Sequence, residues 1–179
     1  VLPAGAPVRN IGLVVYGPGA AGPCGGIDLK AAPGPNSAEH LLELLKPVQP
    51  YGQTPLTNAV EEAAEVLDFR SRPATIVLVT DGEETCGGNP CPAGLALEKA
   101  GADITVHVIG YMTRFANQVG GQQPARCLAE QTGGFYLTAE TADELTVALQ
   151  RTLGCDSLSK TRGKVRVAGV SQCAPGPQC

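Results

Sequence analysis

Apolar residues along the chain change period several times, and each change marks an element. Ile11-Gly12-Leu13-Val14-Val15-Tyr16 is a mostly apolar run stopped by Gly17-Pro18-Gly19, which reads as a strand ending in a turn. Ile27-Asp28-Leu29-Lys30 alternates, as a short edge strand returning beside the first in a hairpin does. Asn36 with Glu39 offers a capping pair for a helix whose apolar face is Leu41, Leu42, Leu44 and Leu45 and which Pro47 ends. A second helix opens with Pro55 in its first turn and turns Val60, Ala63, Ala64 and Leu67 inward. The most apolar strand follows. Ile76-Val77-Leu78-Val79 carries no polar residue and Thr80-Asp81-Gly82 stops it, the pattern of a parallel strand covered on both faces.

Beyond it come a helix through Leu95, Leu97 and Ala100 closed by Gly101, and a strand over Ile104 to Gly110. A loop with Gly120-Gly121 precedes a helix through Ala125, Leu128 and Ala129, which Gly133-Gly134 stop. Phe135-Tyr136-Leu137 is the last strand, and Thr141 with Glu144 caps a helix reaching Leu153. The order strand, strand, helix, helix, then alternating strand and helix predicts an α/β domain with a largely parallel sheet over residues 1–154. Residues 155–179 keep no strong period and read as a cysteine-containing tail or the start of another segment, with a strand or two between Gly163 and Val170. Ligands of open α/β sheets gather at the carboxyl ends of the strands, which makes Asp81 the first candidate site residue.

Composition narrows the partners. A net charge of −4, with 13 scattered Lys and Arg among 179 residues, gives no basic stripe and argues against nucleic acid. No apolar run approaches the ~20 residues that span a bilayer, so no membrane insertion is expected of this chain. The chain opens on Val1 without a basic-then-apolar leader, so a targeting segment is expected to have been removed or to lie outside it. Seven cysteines point to an oxidising compartment or to a metal site. Cys86 and Cys91 bracket Gly-Gly-Asn-Pro, and Cys173 and Cys179 bracket Ala-Pro-Gly-Pro-Gln; turn chemistry of this kind predicts two local disulfides. Zinc would want Cys-x-x-Cys pairs or nearby histidines, and His40 and His107 lie far off. Cys24, Cys127 and Cys155 remain; an odd total leaves one thiol free or paired outside the chain, and Cys127 reads as a small buried hydrophobe.

Several pieces together resemble the von Willebrand factor type A domain, over roughly residues 8 to 153. They are the strand Ile11 to Tyr16, the loop Gly52-Gln53-Thr54-Pro55-Leu56 opening a helix, the strand end Val79-Thr80-Asp81-Gly82, the strand Thr105 to Gly110, and Thr132-Gly133-Gly134 before an aromatic strand. Glu84 to Cys91 and Arg126-Cys127-Leu128-Ala129-Glu130 look like a bacterial exported branch of that family. The resemblance implies a three-layer, doubly wound fold and a metal-ion-dependent adhesion site. There an Asp-x-Ser-x-Ser loop, a threonine and an aspartate hold one cation whose shell a partner's carboxylate completes. Thr54 matches the threonine and Asp81 the aspartate, hard oxygen donors suited to Mg²⁺ or Mn²⁺. It also implies a protein ligand presenting Asp or Glu, and extracellular or periplasmic placement.

Nothing here matches Asp-x-Ser-x-Ser, which the family carries after a first strand lying between those matched by Ile11 to Tyr16 and Ile76 to Val79. A chain without that strand exposes two strand edges, so we expect a fragment of a longer protein, a strand supplied by a partner, or a defunct site. Plainer roles exist for each residue. Thr54 can cap the helix that follows, Asp81 can form the turn before Gly82, and Glu83 and Glu84 can be a solvated acidic rim. His107, between Val106 and Val108, reads as a satisfied structural histidine. Gly17-Pro18-Gly19-Ala20-Ala21-Gly22 lacks the ending of a phosphate loop and opens no helix. No nucleophile triad, carboxylate pair or nucleotide fingerprint is visible, so we expect a binding module rather than an enzyme. The rivals are a structural domain whose cation site has decayed and a Mg²⁺-dependent phosphate-ester enzyme built on Asp81.

Overall fold

Three strands in parallel register position everything else in the structure, a computed structural model that describes residues 10–17, 22, 24–36, 38–49, 51–101, 103–112 and 124–153. The chain runs β1 (Ile11–Tyr16), β2 (Ile27–Gly34), α1 (Ala38–Leu45), α2 (Leu56–Val66) and β3 (Ala74–Thr80). It continues through α3 (Pro90–Ala100), β4 (Ile104–Tyr111), α4 (Pro124–Gln131), β5 (Tyr136–Ala139) and α5 (Ala142–Thr152). This is the element order the sequence pattern predicts. Residues 155–179, with Cys155 and the expected Cys173–Cys179 pair, lie outside the described residues.

β3, β4 and β5 form the parallel sheet, with Ala74 opposite Ile104, Thr80 opposite Gly110, and Val108 opposite Tyr136. Parallel neighbours require crossovers, and α3 and α4 supply them. One face of the sheet buries Ile76, Leu78, Val106 and Val108 against Leu56, Val60 and Ala64 of α2, Leu97 of α3 and Leu128 of α4. The other face carries a smaller cluster, Ile109, Ala139 and Ala148, with Leu145 and Leu149 of α5 packed around it. The fold class is therefore α/β with helices flanking a parallel sheet, consistent with a Rossmann-like or type A-like arrangement.

The expected double cover of the most apolar strand is corrected. β3, the most apolar strand, is not covered on both faces: Ala74, Ile76, Leu78 and Thr80 are buried while Thr75 and Val79 are exposed. α5 lies over β4 and β5, and on that side of β3 Val77 is partly buried against the same cluster while its neighbours Thr75 and Val79 are not. The doubly covered strand is β4, where Val106 through Gly110 are all buried despite a histidine among them. The five strands form two sheets. β1 and β2 make a separate antiparallel hairpin, with Tyr16 opposite Ile27, and among the described residues neither β1 nor β3 has a strand on its other edge. The Tyr16 hydroxyl donates to the Val79 carbonyl at 2.9 Å, so the carboxyl ends of these two edges face each other.

Asn36 does not cap α1. Its carboxamide donates to the carbonyls of Ile11 (2.6 Å) and Ala32 (3.0 Å), tying the end of the hairpin together. None of the leucines of α1 is buried, and Leu42 remains 59% exposed. The final helix is capped as expected: the Glu144 amide donates to Thr141 Oγ1, and the Glu140 amide donates to the Glu144 carboxylate.

β5 starts late, opposite Val108, so the upstream part of β4 needs other partners on that side. The α4–β5 turn provides them. The Val106 amide donates to Thr132 Oγ1 at 2.9 Å and the Val108 amide to the Phe135 carbonyl at 2.8 Å. The Phe135 amide donates to His107 Nδ1 at 3.0 Å, and the two rings stack 5.2 Å apart. His107 is thus the satisfied structural histidine expected, buried to 8% exposure and held neutral by that burial. Gly134 is required where this turn crosses β4, because a Cβ there would collide with the Val106 carbonyl.

Candidate functional site

The carboxyl end of β3 meets two other loops, the β1–β2 turn and the segment before α2. Asp81 follows Thr80 directly and is exposed. The turn after it is closed by its neighbour: Thr80 Oγ1 donates to the Gly82 carbonyl (2.9 Å) and accepts from the Gly82 amide (3.3 Å). The turn-forming role considered for Asp81 therefore falls to a buried threonine. Among the described residues, nothing donates a hydrogen bond to the Asp81 carboxylate.

Thr54 is half-buried beside this loop. Its amide donates to Thr85 Oγ1 at 2.7 Å, and the Thr85 amide donates back to the Thr54 carbonyl at 3.1 Å. The two loops carrying the sequence-matched residues are thus stitched to each other. Thr54 does not cap α2: the cap position is Pro55, with no side-chain bond of its own. The first-turn amide of Thr57 donates instead to Glu84 Oε2, at 2.8 Å, across the sequence.

Glu84 is the residue whose role the sequence hid. It is half-buried rather than part of a solvated rim, and its other oxygen accepts from the Cys86 amide at 2.8 Å. Burial alone would raise its pKa, but these donors, Thr57 foremost, outweigh burial and hold it below the usual carboxylate range. Gly88 makes this possible, since a side chain there would run into Thr57 and Glu84. Tyr16 closes the same corner from β1; burial, and then the charges of Asp81 and Glu84, raise its pKa against the opposing bond to Thr80.

The expected Cys86–Cys91 disulfide is not formed. Cys86 pairs with Cys24 of the β1–β2 turn (Cα–Cα 5.6 Å) and Cys91 with Cys127 of α4 (Cα–Cα 5.0 Å). The reason is local: α3 begins at Pro90, between the two cysteines, and carries Cys91 towards α4. There Gly94 lets the two helices approach, its α-carbon facing Leu128 and Gln131. Cys127 is accordingly a bridged cysteine, not a small buried hydrophobe. The Cys24–Cys86 bridge lies against Gln53, whose Oε1 is 3.0 Å from Cys24 Sγ. The β1–β2 turn, the Thr54 loop and the loop after β3 are therefore held as one unit.

Among the described residues no three His, Cys, Asp or Glu side chains gather in a form that would hold a metal ion. The two sequence-matched residues at this edge offer the Asp81 carboxylate and the Thr54 hydroxyl. They are hard oxygens of the kind Mg²⁺ accepts while keeping several waters.

No family profile matches the chain. It is 33% identical to the uncharacterized protein YwmD of Bacillus subtilis (strain 168) over 109 residues, 60% of this chain and 47% of that protein. To the uncharacterized protein YwmC of the same organism it is 35% identical over 109 residues, 60% of this chain and 45% of that one. The chain thus spans about half the length of the curated relatives it matches. Among solved structures, the conserved hypothetical protein BatB from Bacteroides thetaiotaomicron superposes with a TM-score of 0.58 at 16% identity, covering 82% of this chain and 78% of that one. The likeness is one of fold. The two disulfides fit an exported protein, and no helix among the described residues is long and apolar enough to cross a membrane.

Proposed function

We propose that this chain is a non-catalytic protein-binding module with a divalent-cation-assisted recognition face at the carboxyl ends of its strands. Thr54 and Asp81 contribute to the cation, Mg²⁺ or Mn²⁺, and an Asp or Glu carboxylate of a protein partner completes its shell. One observation supports this above the others. The two matched residues sit on loops bonded to each other, while helix capping and turn closure are done by Glu84 and Thr80. Extracellular or periplasmic placement accords with the disulfides. Among the described residues β1 and β3 each have an edge with no neighbouring strand, which accords with a further strand, and we expect the Asp-x-Ser-x-Ser ligands to accompany it in a longer polypeptide.

Calorimetric titration of Mg²⁺ and Mn²⁺ into the chain tests this, beside Asp81→Ala and Thr54→Ala. Saturable binding that Asp81→Ala abolishes is expected, with Thr54→Ala weaker than the parent chain. The absence of any three-carboxylate or histidine cluster among the described residues favours a second reading, a structural domain with a decayed site. Its signature is a partner interaction and an unfolding midpoint indifferent to chelator. Turnover of a generic phosphate ester, lost in Asp81→Ala, would contradict both.

A further inference from the structure

We propose that Glu84 is a positioning residue, which holds the Thr54 loop in place against the loop of Asp81. The inference rests on the cation-site reading above for its consequence, but its structural content stands apart from it. Three facts carry it. The Glu84 carboxylate reaches 27 positions back in the chain to the Thr57 amide, so the first turn of α2 is anchored on the loop after β3 rather than on its own N-cap. The other oxygen of the same carboxylate takes the amide of Cys86 at 2.8 Å, so its position in that loop is fixed as well. Between these anchors, Thr54 and Thr85 exchange two hydrogen bonds that are short only if both loops stay where Glu84 puts them.

The two acidic residues therefore divide the work at this edge. Asp81 is exposed and uncommitted; Glu84 is committed to two donors, one on each oxygen. A carboxylate holds two backbone amides better than an amide side chain does, because charge-assisted bonds are about twice as strong and glutamine turns one acceptor into a donor. Glu84→Gln leaves the size of the side chain unchanged and places an NH₂ group against an N–H. The loss is then confined to the anchor. Removal of a helix cap elsewhere gives the matched control, and Glu144→Ala at the start of α5 removes the acceptor of the Glu140 amide there, away from this edge.

Amide hydrogen exchange on the three proteins, followed by Mn²⁺ titration, tests the proposal. Glu84→Gln is expected to speed exchange of the Thr54 amide at least tenfold, while Glu144→Ala leaves Thr54 unchanged. Mn²⁺ affinity is expected to fall at least tenfold in Glu84→Gln and less than twofold in Glu144→Ala. Unchanged Thr54 exchange in Glu84→Gln overturns the positioning role whether or not a cation binds. Faster exchange with Mn²⁺ affinity kept within twofold also overturns it, since the loop would then be free without consequence for the site. If the parent chain binds no Mn²⁺ while Thr54 exchange responds as expected, the cation-site reading fails and the anchoring role of Glu84 remains.

Discussion

Thr132→Val removes one oxygen from the protein and nothing of its shape, and the structure fixes what that oxygen does. Thr132 is 6% exposed and Val106 fully buried. The Val106 amide donates to Thr132 Oγ1 because β5 has not yet begun at that level of β4. The hydroxyl proton in turn goes to the Leu128 or Ala129 carbonyl, each 3.2 Å away. Ala129's carbonyl also accepts from Gly134, so its loss there is small. The main cost is the Val106 N–H, left without an acceptor where water does not reach, about 1–3 kcal/mol. A domain of this size loses roughly 2–4 °C of melting temperature per kcal/mol, so a fall of about 4–8 °C follows for the middle of that range. Thr138→Val, on the exposed side of β5, is the control and should move stability by no more than ~0.5 kcal/mol. Urea unfolding of the two variants checks it. Equal midpoints for Thr132→Val and Thr138→Val would refute the claim that the α4–β5 turn completes the hydrogen bonding of β4.

Gly134→Ala drives a methyl group into the Val106 carbonyl of the central strand and should cost about 3 kcal/mol, the upper end for overpacking, measured by the same unfolding assay. Burial lowers the His107 pKa below its ordinary 6.5, so the neutral ring belongs to the folded state. Its contribution is complete above pH 6.5 and drains away as the pH falls through that unfolded value towards the folded one. His107→Gln keeps an acceptor for the Phe135 amide and should flatten the dependence of unfolding free energy on pH below about 6.5. Replacing Cys91 and Cys127 together by Ala opens a crosslink spanning a separation of 36 residues and should cost roughly 3–4 kcal/mol. Thermal unfolding with and without dithiothreitol should then differ for the parent chain more than for the double variant.

Local signals were read well from the sequence, and signals that depend on distant pairing were not. Thr141 with Glu144 announced a cap because both halves of it lie within one turn of helix. The strand ends at Tyr16 and Thr80 are punctuated by glycine and aspartate, and the element order followed from them. The apolar run Ile76 to Val79 misled because hydrophobicity reports what a strand is able to bury, while cover depends on which helix lies over it. β4, with Thr105 and His107, is the strand that α3, α4 and α5 enclose. The cysteines failed for a related reason. Cys86 and Cys91 are neighbours in sequence, but a helix start between them sends them to partners 62 and 36 positions away. Thr54 and Asp81 were singled out together through the order of motifs, and the loops that carry them are bonded to each other. Glu84 was not, because its decisive bond joins it to a helix end that no spacing rule connects with it.

The central claim is that Thr54 and Asp81 share a cation at the carboxyl edge, and paramagnetic broadening locates a bound ion directly. Mn²⁺ should be titrated into ¹⁵N-labelled chain while the amide spectrum is followed. The account predicts broadening that begins at Gln53, Thr54, Asp81 and Gly82, and that disappears in Asp81→Ala. Broadening centred on any other part of the molecule, or none at millimolar Mn²⁺, would contradict it.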